Sequence, residues 1–513
     1  MYDIIKIYGY GHGKEKIMSK KEKVKTPEEI EYQRIRDEKE LAKMMREKAK
    51  PKHAGYMIYM LIIVTIVYIA DEITTQIGTQ MQDIMSDIIF APVFGKEKAV
   101  SAMSLLSIFS LLFIILGVFY KPLSDKYGRK IFLVINTLGM GVGMMIIAVC
   151  TSIPVYLIGS CVSMFFIPND MQAMYIYECA PEEKRGRFYS IAKAFATFGM
   201  LLIPVLRDSF ATYEYVDGVK VMTDINYFMV YFIPAVIAIT VAIAAIFLLR
   251  ESDAFVDSRI HALTMTEEEK AAELAKKQDT QSQGSLSSGI KFIFKHKQIL
   301  WLMVVNGITM CGVFITQYYT TIINSGYEAF ELARGIDPLV AEQYAKATTT
   351  QALTLFAIGS GVLQLVQGFI ADGLGRKKAT IIMSGLSIVA YLLFFFGSRS
   401  NWNPYLVGLC AGASVGSYWA MGDILGLMRT ESVPTNLRNT VGAIAPLLSM
   451  IPFFVLAAVY MVLMGVLGDA AIGTLVLCFS VVGMAIGLVL MAINVKETKG
   501  VDLNAIKGDE FEA

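Results

Sequence analysis

The chain is 513 residues long, 55% hydrophobic and only 18% charged, with a formal net charge of +1. Soluble chains carry roughly 45–50% apolar and about 25% charged residues, so this composition excludes an ordinary water-soluble domain. The near-neutral charge gives no basis for a nucleic-acid partner, and none is expected.

The apolar residues fall in runs of about 20, long enough to cross a hydrocarbon core of about 30 Å. Residues 1–55 stand apart: they are polar and contain no signal-peptide core, which predicts a cytoplasmic tail. Within it, "TPEEIEYQRIRDEKELAKMMREK" predicts a short helix with Thr26 as N-cap, Pro27 at N1 and Glu29 at N3. Six spans follow, near 56–80, 98–121, 130–150, 154–178, 188–206 and 227–249, forming a first half over 56–249. Residues 250–297 form a cytoplasmic central loop. In it "TEEEKAAELAKK" repeats the capping device with Thr266 and Glu269, and 278–289 has the composition of a flexible linker. Spans 7 to 12 lie near 298–324, 350–371, 378–397, 403–427, 440–465 and 470–494, forming a second half over 298–494 before a cytoplasmic tail at 495–513.

Every span must be helical, because lipid offers no partner to an unpaired backbone group. The predicted fold is therefore an all-α membrane protein of twelve transmembrane helices in two six-helix halves. Lys and Arg gather in the short loops after spans 2, 4, 8 and 10, which places those loops and both termini in the cytoplasm.

Two patterns are written twice. "NDMQAMYIYECAPEEKRGR" at 169–187 and "GDILGLMRTESVPTNLRNT" at 422–440 both read D, seven residues, E, two residues, P, three residues, R. Asp170 thus matches Asp423, Glu178 matches Glu431, Pro181 matches Pro434 and Arg185 matches Arg438. The loops after spans 2 and 8, "KPLSDKYGRK" and "GFIADGLGRK", share D-x-x-G-R-K: Asp125, Gly128, Arg129 and Lys130 match Asp372, Gly375, Arg376 and Lys377. Internal repeats are how many secondary transporters are built, with a solute site near the midplane between the halves.

On these motifs residues 56–505 resemble the major facilitator superfamily, which implies the major facilitator fold. That superfamily's loop motif begins with Gly; Gly368 supplies it in the second half, whereas Lys121 stands there in the first. "YIYECAPEEKRG", "RESDAF", "VKETKGVDL", "ADEITTQIG" and "QYYTTIINSG" are similar to segments of its sugar-porter-like branch. Several positions at which that branch reads sugar differ: Ile308 and Thr309 stand where it has a Gln pair, and Phe314 where it has Asn. The resemblance therefore implies transport more strongly than it implies sugar.

It also implies a cytoplasmic gate. Arg129 is expected to pair with Glu178, and Arg376 with Glu431. Asp125, Arg185, Asp372, Arg438, Glu251 and Glu497 extend the two networks. Such pairs are expected to close the cytoplasmic mouth when the cavity faces outward, and to break when it faces inward.

Four carboxylates lie inside the spans: Asp71, Glu72, Asp170 and Asp423. By residue count no Lys, Arg or His reaches their depth, Lys193 lying near the cytoplasmic end of span 5 and Arg207 at its outer end. Unpaired acids in lipid are costly, so these are expected to be protonated, to face water, or to receive a cationic ligand. Asp71 is the first choice for proton coupling, with Asp170 and Asp423 next, while Glu72 is set against a neighbouring helix. Gln76, Asn169, Asn306, Gln317, Tyr318, Tyr319, Gln364 and Trp419 are the candidate solute ligands, with Gln351 and Gln367 beside them.

The six cysteines show no C-x-x-C spacing and the four histidines lie in polar segments. Neither a metal, a cofactor nor an enzymatic activity is expected. The function expected is a monomeric, proton-coupled symporter of a small polar organic solute in the cell membrane, with sodium as the other candidate coupling ion. A proton-driven exporter of organic cations and a non-translocating sensor stay open as alternatives.

Overall fold

The computed structural model describes residues 27–50, 55–120, 123–167, 171–179, 185–216, 218–266, 269, 286–433 and 437–500. Twelve helical spans run through it in two six-helix halves. Ten helical runs among the described residues are each long and apolar enough to cross a membrane. Spans 2 and 10 complete the set. Span 2 breaks at Ser107 into Ala99–Leu106 and Ile108–Tyr120, and span 10 is Pro404–Glu431.

Several elements are longer or different in kind from those expected. Span 1, Tyr56–Gln80, continues through Gln82–Met85, a π-helical turn Ser86–Phe90 and Ala91–Phe94 where a loop was expected. Span 4 is Ile153–Phe166 followed by Met171–Cys179, and span 5 is Arg185–Gly199 followed by Leu202–Ser209. Pro204 lies in the first turn of that second piece, where a missing N–H costs little. Span 7 runs from Lys297–Thr309 into Val313–Ala333, and span 8 fills Pro338–Leu374. The stretch after span 5, read as a plain loop, is an antiparallel hairpin of β1 (Ala211–Val216) and β2 (Val219–Ile225), closed by Val216 opposite Val219. Gly218 turns it with φ of 81°, as a two-residue hairpin requires.

The hairpin marks one end of the bundle and the two D-x-x-G-R-K loops the other, here the hairpin end and the motif end. At the motif end the predicted N-terminal helix forms as Pro27–Ala49. It packs on a second helix, Asp253–Thr264, through Met44, Phe255, Val256 and Ile260. Glu40 accepts from Arg259 at 2.6 Å and Lys48 pairs with Asp257 at 2.8 Å. The predicted capping box closes too: Thr266 N–H donates to Glu269 at 2.8 Å and Glu269 N–H to the Thr266 hydroxyl at 3.2 Å. The last four residues of the predicted linker, 286–289, are instead the start of a helix, Leu286–Lys295.

The second half has one continuous apolar core. It is drawn tight where spans 8 and 10 cross. Gly408, Gly412 and Gly416 recur every four residues against the backbone of Ala352, Phe356 and Ser360, and a Cβ at Gly408 would lie 1.7 Å from the Ala352 carbonyl oxygen. Small residues at this spacing let membrane helices approach to backbone contact. The first half has two apolar cores, one toward each end. Between them lies a buried polar layer of Asp71, Thr74, Asn136 and Thr137.

The halves are joined mainly at the hairpin end. Span 2 packs on span 11 (Arg438–Leu467) through Ala99–Leu106, span 1 on span 7, and β2 on span 8. Spans 5 and 8 also pack along their length.

Candidate functional site

At the motif end the two repeats fold alike. Span 3, Arg129–Ala148, and span 9, Arg376–Arg399, each start after a glycine with positive φ: 111° at Gly128 and 98° at Gly375. Glu251 accepts from the N–H groups of Arg129 at 2.8 Å and Lys130 at 3.1 Å. Glu497 accepts from those of Arg376 at 2.7 Å and Lys377 at 3.1 Å. Each acid thus satisfies two orphan donors of a helix start and meets its positive dipole end. A Cβ at Gly128 would sit 2.2 Å from the Glu251 carboxylate, and one at Gly375 would sit 2.4 Å from that of Glu497. The glycine of D-x-x-G-R-K is therefore required by the acid at the other end of its half.

The arginines complete the networks. Arg129 donates to Glu178 at 3.0 Å and to the Ser124 hydroxyl at 3.0 Å, and Glu178 also accepts from the Ser252 hydroxyl. Arg376 donates to Glu431 at 3.4 Å and to Asp372 at 2.6 Å, and Glu431 accepts from Thr498 at 2.6 Å. The side chains of Asp125, Arg185 and Arg438 lie outside what the structure describes. Both arginine–glutamate pairs lie within a single half. They are intact while the halves are sealed at the hairpin end. Each therefore fastens the helices of its own half, and neither is a strap across the mouth.

The middle of the bundle corrects the expectation that the buried acids lack a cation. Lys193 of span 5 donates to Asp423 of span 10 at 2.6 Å, across the seam between the halves. The helix begins at Arg185 rather than 188, so Lys193 lies eight residues in, as Asp423 does from Glu431. At 1.5 Å per residue both are about 12 Å deep, and the flexible lysine stem spans what remains. Gln367 donates to Asp423 and to Gln364, each at 3.1 Å, and Gln364 donates to the Gly416 carbonyl at 3.3 Å. On the other side of the seam Gln76 donates to Glu72 at 3.4 Å, and the Glu72 carboxylate acts electrostatically on Lys193. The side chain of Asp423 is 41% exposed although it stands inside a helix, while that of Lys193 is 17% exposed, so the packing is open beside the acid at this depth.

Asp71 and Glu72 take the reverse of their expected places. Asp71 is buried within the first half and accepts from Thr137 of span 3 at 2.9 Å. Glu72, about 100° around the helix, joins the polar chain at the seam. Asn169 and Asp170 fall outside the described residues. In span 7, Tyr319 is fully buried and stacks on Phe356 of span 8 at 4.1 Å, while Tyr318 lies beside Ser104 of span 2. Asn306 is half-buried and Gln317 exposed. Span 7 packs on spans 1, 8, 9, 10, 11 and 12. Trp419 is half-buried against the second-half core, one helical turn before Asp423.

Sequence reasoning missed Lys193 as a site residue. It also missed the hairpin-end seal. Arg207, with 0% exposure, makes a two-bond pair with Asp83 at 2.8 Å each, and also donates to Thr350 of span 8 at 3.2 Å. Thr321 donates to Gln82 at 2.8 Å across the halves. Lys96 and Lys346 each bind Glu342 at 2.6 Å, and Lys346 also binds Asp87. The Asp469 carboxylate takes the N–H groups of Val100 and Ser101, each at 2.8 Å.

Two six-helix halves, sealed at one end and carrying a polar chain across their seam, define a multi-pass membrane transporter. The family comparison agrees: residues 54–457 match the model of the Major Facilitator Superfamily, and the chain belongs to that family. It is a membrane transport protein and not an enzyme. It is 21% identical over 408 residues to the glucose transporter GlcP of Staphylococcus epidermidis, covering 75% of this chain and 83% of that one. Its fold is similar to the crystal structure of a D-xylose-proton symporter, with TM-score 0.58 at 18% identity over 87% of this chain and 99% of that one. It is also similar to the inward open conformation of the xylose transporter XylE from E. coli, with TM-score 0.56 at 16% identity over 88% and 99%.

Proposed function

We propose that the chain carries a small polar organic solute across the cell membrane by alternating access, coupled to protons in symport. The observation that carries this reading is the Lys193–Asp423 bridge. It is an ion pair, openly packed on the side of the acid, that joins the halves inside an apolar wall. Two acids, Glu72 and Asp423, share the field of one ammonium there. A proton arriving at either one loosens the bridge, and the halves then separate at lower cost. Asp71 sits within one half and serves as a second candidate, and Asp170 enters by its place in the repeat. The Arg129 and Arg376 networks brace the motif end of each half while the halves move.

The Lys/Arg bias of the loops supports a cytoplasmic motif end with both termini inside. On that orientation the described state is closed outward, and the chain acts as a monomer that takes solute up. Exporter and symporter differ in the charge of the solute: the acids and the lapsed sugar-reading positions favour a cationic one, whereas Lys193 beside Asp423 weakens the first of these two grounds. Glucose and xylose, named for the relatives, are the first solutes to assay.

The test is uptake into proteoliposomes. Asp423→Asn should abolish accumulation driven by a pH gradient while keeping counterflow exchange. If Asp423→Asn still concentrates solute and Asp71→Asn does not, coupling belongs to the buried layer between spans 1 and 3.

A further inference from the structure

The helix Leu286–Lys295 at the motif end has no part in the reading above. It stops one residue short of span 7, and His296 between the two is extended, with φ −99° and ψ 110°. The chain therefore turns there, and the helix packs on span 11 as well as on the start of span 7. Its described side chains sort into three ridges. Phe292 and Ile293 are buried in the second-half core, and the His296 ring lies 4.1 Å from that of Phe292. Ile290 and Phe294, four residues apart and so neighbours on the surface, form an apolar edge; Ile290 is half-buried and Phe294 is 61% exposed. Lys291 and Lys295, also four apart, form a basic edge beside it, and Lys297 follows at the start of span 7. All three lysines are exposed, and among the described residues no carboxylate pairs with any of them.

The motif end of the first half is built differently. There Lys48 and Arg259 of the covering helices are paired, with Asp257 and Glu40, and the apolar faces meet each other around Met44 and Phe255. Leu286–Lys295 instead leaves an apolar edge and a row of unpaired ammonium groups side by side at the end of a span. Water suits the lysines but not the ring, and a protein interior suits the ring but not the lysines. The headgroup layer of a bilayer suits both, because the ring reaches the acyl boundary while each flexible lysine stem carries its charge to a phosphate. Three positive charges without counter-charges favour anionic over zwitterionic lipid, and each lysine near such a surface strengthens binding about fivefold. The helix is also tied to the D-x-x-G-R-K network of its half. Gln298, two residues past His296, donates to the Lys496 carbonyl at 3.1 Å and accepts from the Lys496 N–H at 3.0 Å. The next residue, Glu497, is the acid that holds the start of span 9.

We infer that Leu286–Lys295 is a docking surface for anionic lipid in the leaflet at the motif end, with Phe294 seated at the acyl boundary and Lys291, Lys295 and Lys297 on the phosphates. Lipid then does for the second half what the N-terminal helix does for the first, which is to brace the network from outside. Through Gln298 and Lys496 the docked helix holds the segment that carries Glu497, and so the start of span 9. This docking requires neither a particular solute nor a coupling ion, so it stands or falls apart from the transport reading.

The full chain is compared in nanodiscs of phosphatidylcholine alone and of phosphatidylcholine mixed with phosphatidylglycerol. Phosphatidylglycerol should raise the melting midpoint of the parent by several degrees, and high salt should remove the rise. The variant K291Q/K295Q/K297Q should lose at least half of the rise while melting with the parent in phosphatidylcholine alone, and arginine at the same three positions should keep it. Glutamine at Lys39 and Lys43, exposed lysines of the N-terminal helix, should keep it too. A full rise in the triple glutamine variant overturns the docking surface, and an equal loss in both glutamine variants replaces it with a diffuse effect of charge. A polarity-sensitive dye on Phe294→Cys of a cysteine-replaced chain should be quenched by lipids brominated in their acyl chains at least twofold more than the same dye on Tyr32→Cys. Equal quenching overturns the seating of Phe294. Concentration-dependent dimerisation in detergent that the triple glutamine variant abolishes assigns the face to a second copy of the chain and overturns the lipid. Hydrogen exchange reads the tie to the network: phosphatidylglycerol should slow exchange at the Arg376 and Lys377 amides at least threefold in the parent and not in Gln298→Leu. No slowing in the parent overturns that tie.

Discussion

The two copies of the D-x-x-G-R-K network make the same bonds in different surroundings. In the first half, the helix Asp253–Thr264 lays Phe255 over Gly128 and Glu251, and the N-terminal helix lies over that one in turn. In the second half Glu497 belongs to a chain end with no described cover, and Asp372, which shares Arg376, has a side chain 77% exposed. The acids register the contrast. Burial pushes the Glu251 carboxyl above the ordinary value of 4.5, despite three backbone N–H groups. Burial also acts on Glu497, but the N–H groups of Lys499, Arg376, Lys377 and Thr498 outweigh it and hold that carboxyl below 4.5. One repeat thus has a dry acid at its glycine turn and the other a wet one, while the two arginine–glutamate pairs are about equally covered. A pair so little exposed is costly to break singly because the partner is left buried.

The largest expected effect tests how far this contrast extends. Arg129→Ala strands Glu178 beside Ser252 in a nearly buried site and should cost about 3 kcal/mol. Arg376→Ala strands Glu431, which is no more exposed than Glu178, beside Thr498 and should cost about as much. Thermal unfolding of the purified variants in the same detergent measures both. A loss of about 1 kcal/mol or less for Arg376→Ala alone would show that water reaching Glu497 also reaches the arginine–glutamate pair.

These pairs were legible because each was written twice: a D-x-x-G-R-K arginine and a span-ending glutamate recur at the same places in both halves. The capping box at Thr266 and Glu269 was legible because a cap is local. Even the hairpin left a signal, an Asp-Gly at 217–218 between two runs of β-formers. The Lys193–Asp423 bridge was not legible, because its depth depends on where the helix starts and on a long flexible side chain. Nor was the order of Asp71 and Glu72, since neighbours on a helix point apart and only the packing of spans 1, 3 and 5 decides which faces the seam. The Arg207–Asp83 pair joins residues 124 apart in sequence, and nothing local marks either one.

A pH series sharpens the same contrast with a smaller effect. Glu497, held below its free value, stabilises the fold above about pH 4.5, and that contribution is lost as pH falls through its depressed value. Glu251, raised above its free value, binds its proton more readily in the folded chain, so acidification favours the folded first-half copy as pH falls from that raised value toward 4.5. Replacing Glu497 by Gln should therefore flatten the fall in melting midpoint below about pH 4.5, while Glu251→Gln should remove the gain just above it and leave the fall below about pH 4.5 in place.

The smallest expected effect asks whether the cover makes the first-half copy dry. Met44 is the apolar anchor of the N-terminal helix on Phe255, Val256 and Ile260, and Glu40–Arg259 is its half-exposed ion pair. Met44→Ala with Arg259→Ala should loosen the cover and leave the bonds of Arg129 to Glu178 and Ser124 in place, for a loss of about 1–2 kcal/mol. Its more telling consequence is indirect. If water then reaches Glu251, its carboxyl loses the burial that raised it, the same backbone N–H groups dominate, and the first-half copy acquires the acid sensitivity of the second. The acid-side slope of the melting midpoint should steepen in the double variant, and adding Glu251→Gln should bring it to the slope of Glu251→Gln alone. An unchanged slope would place the origin of the contrast in the short loops themselves, because the helices above them would then make no difference to how much water the acid meets.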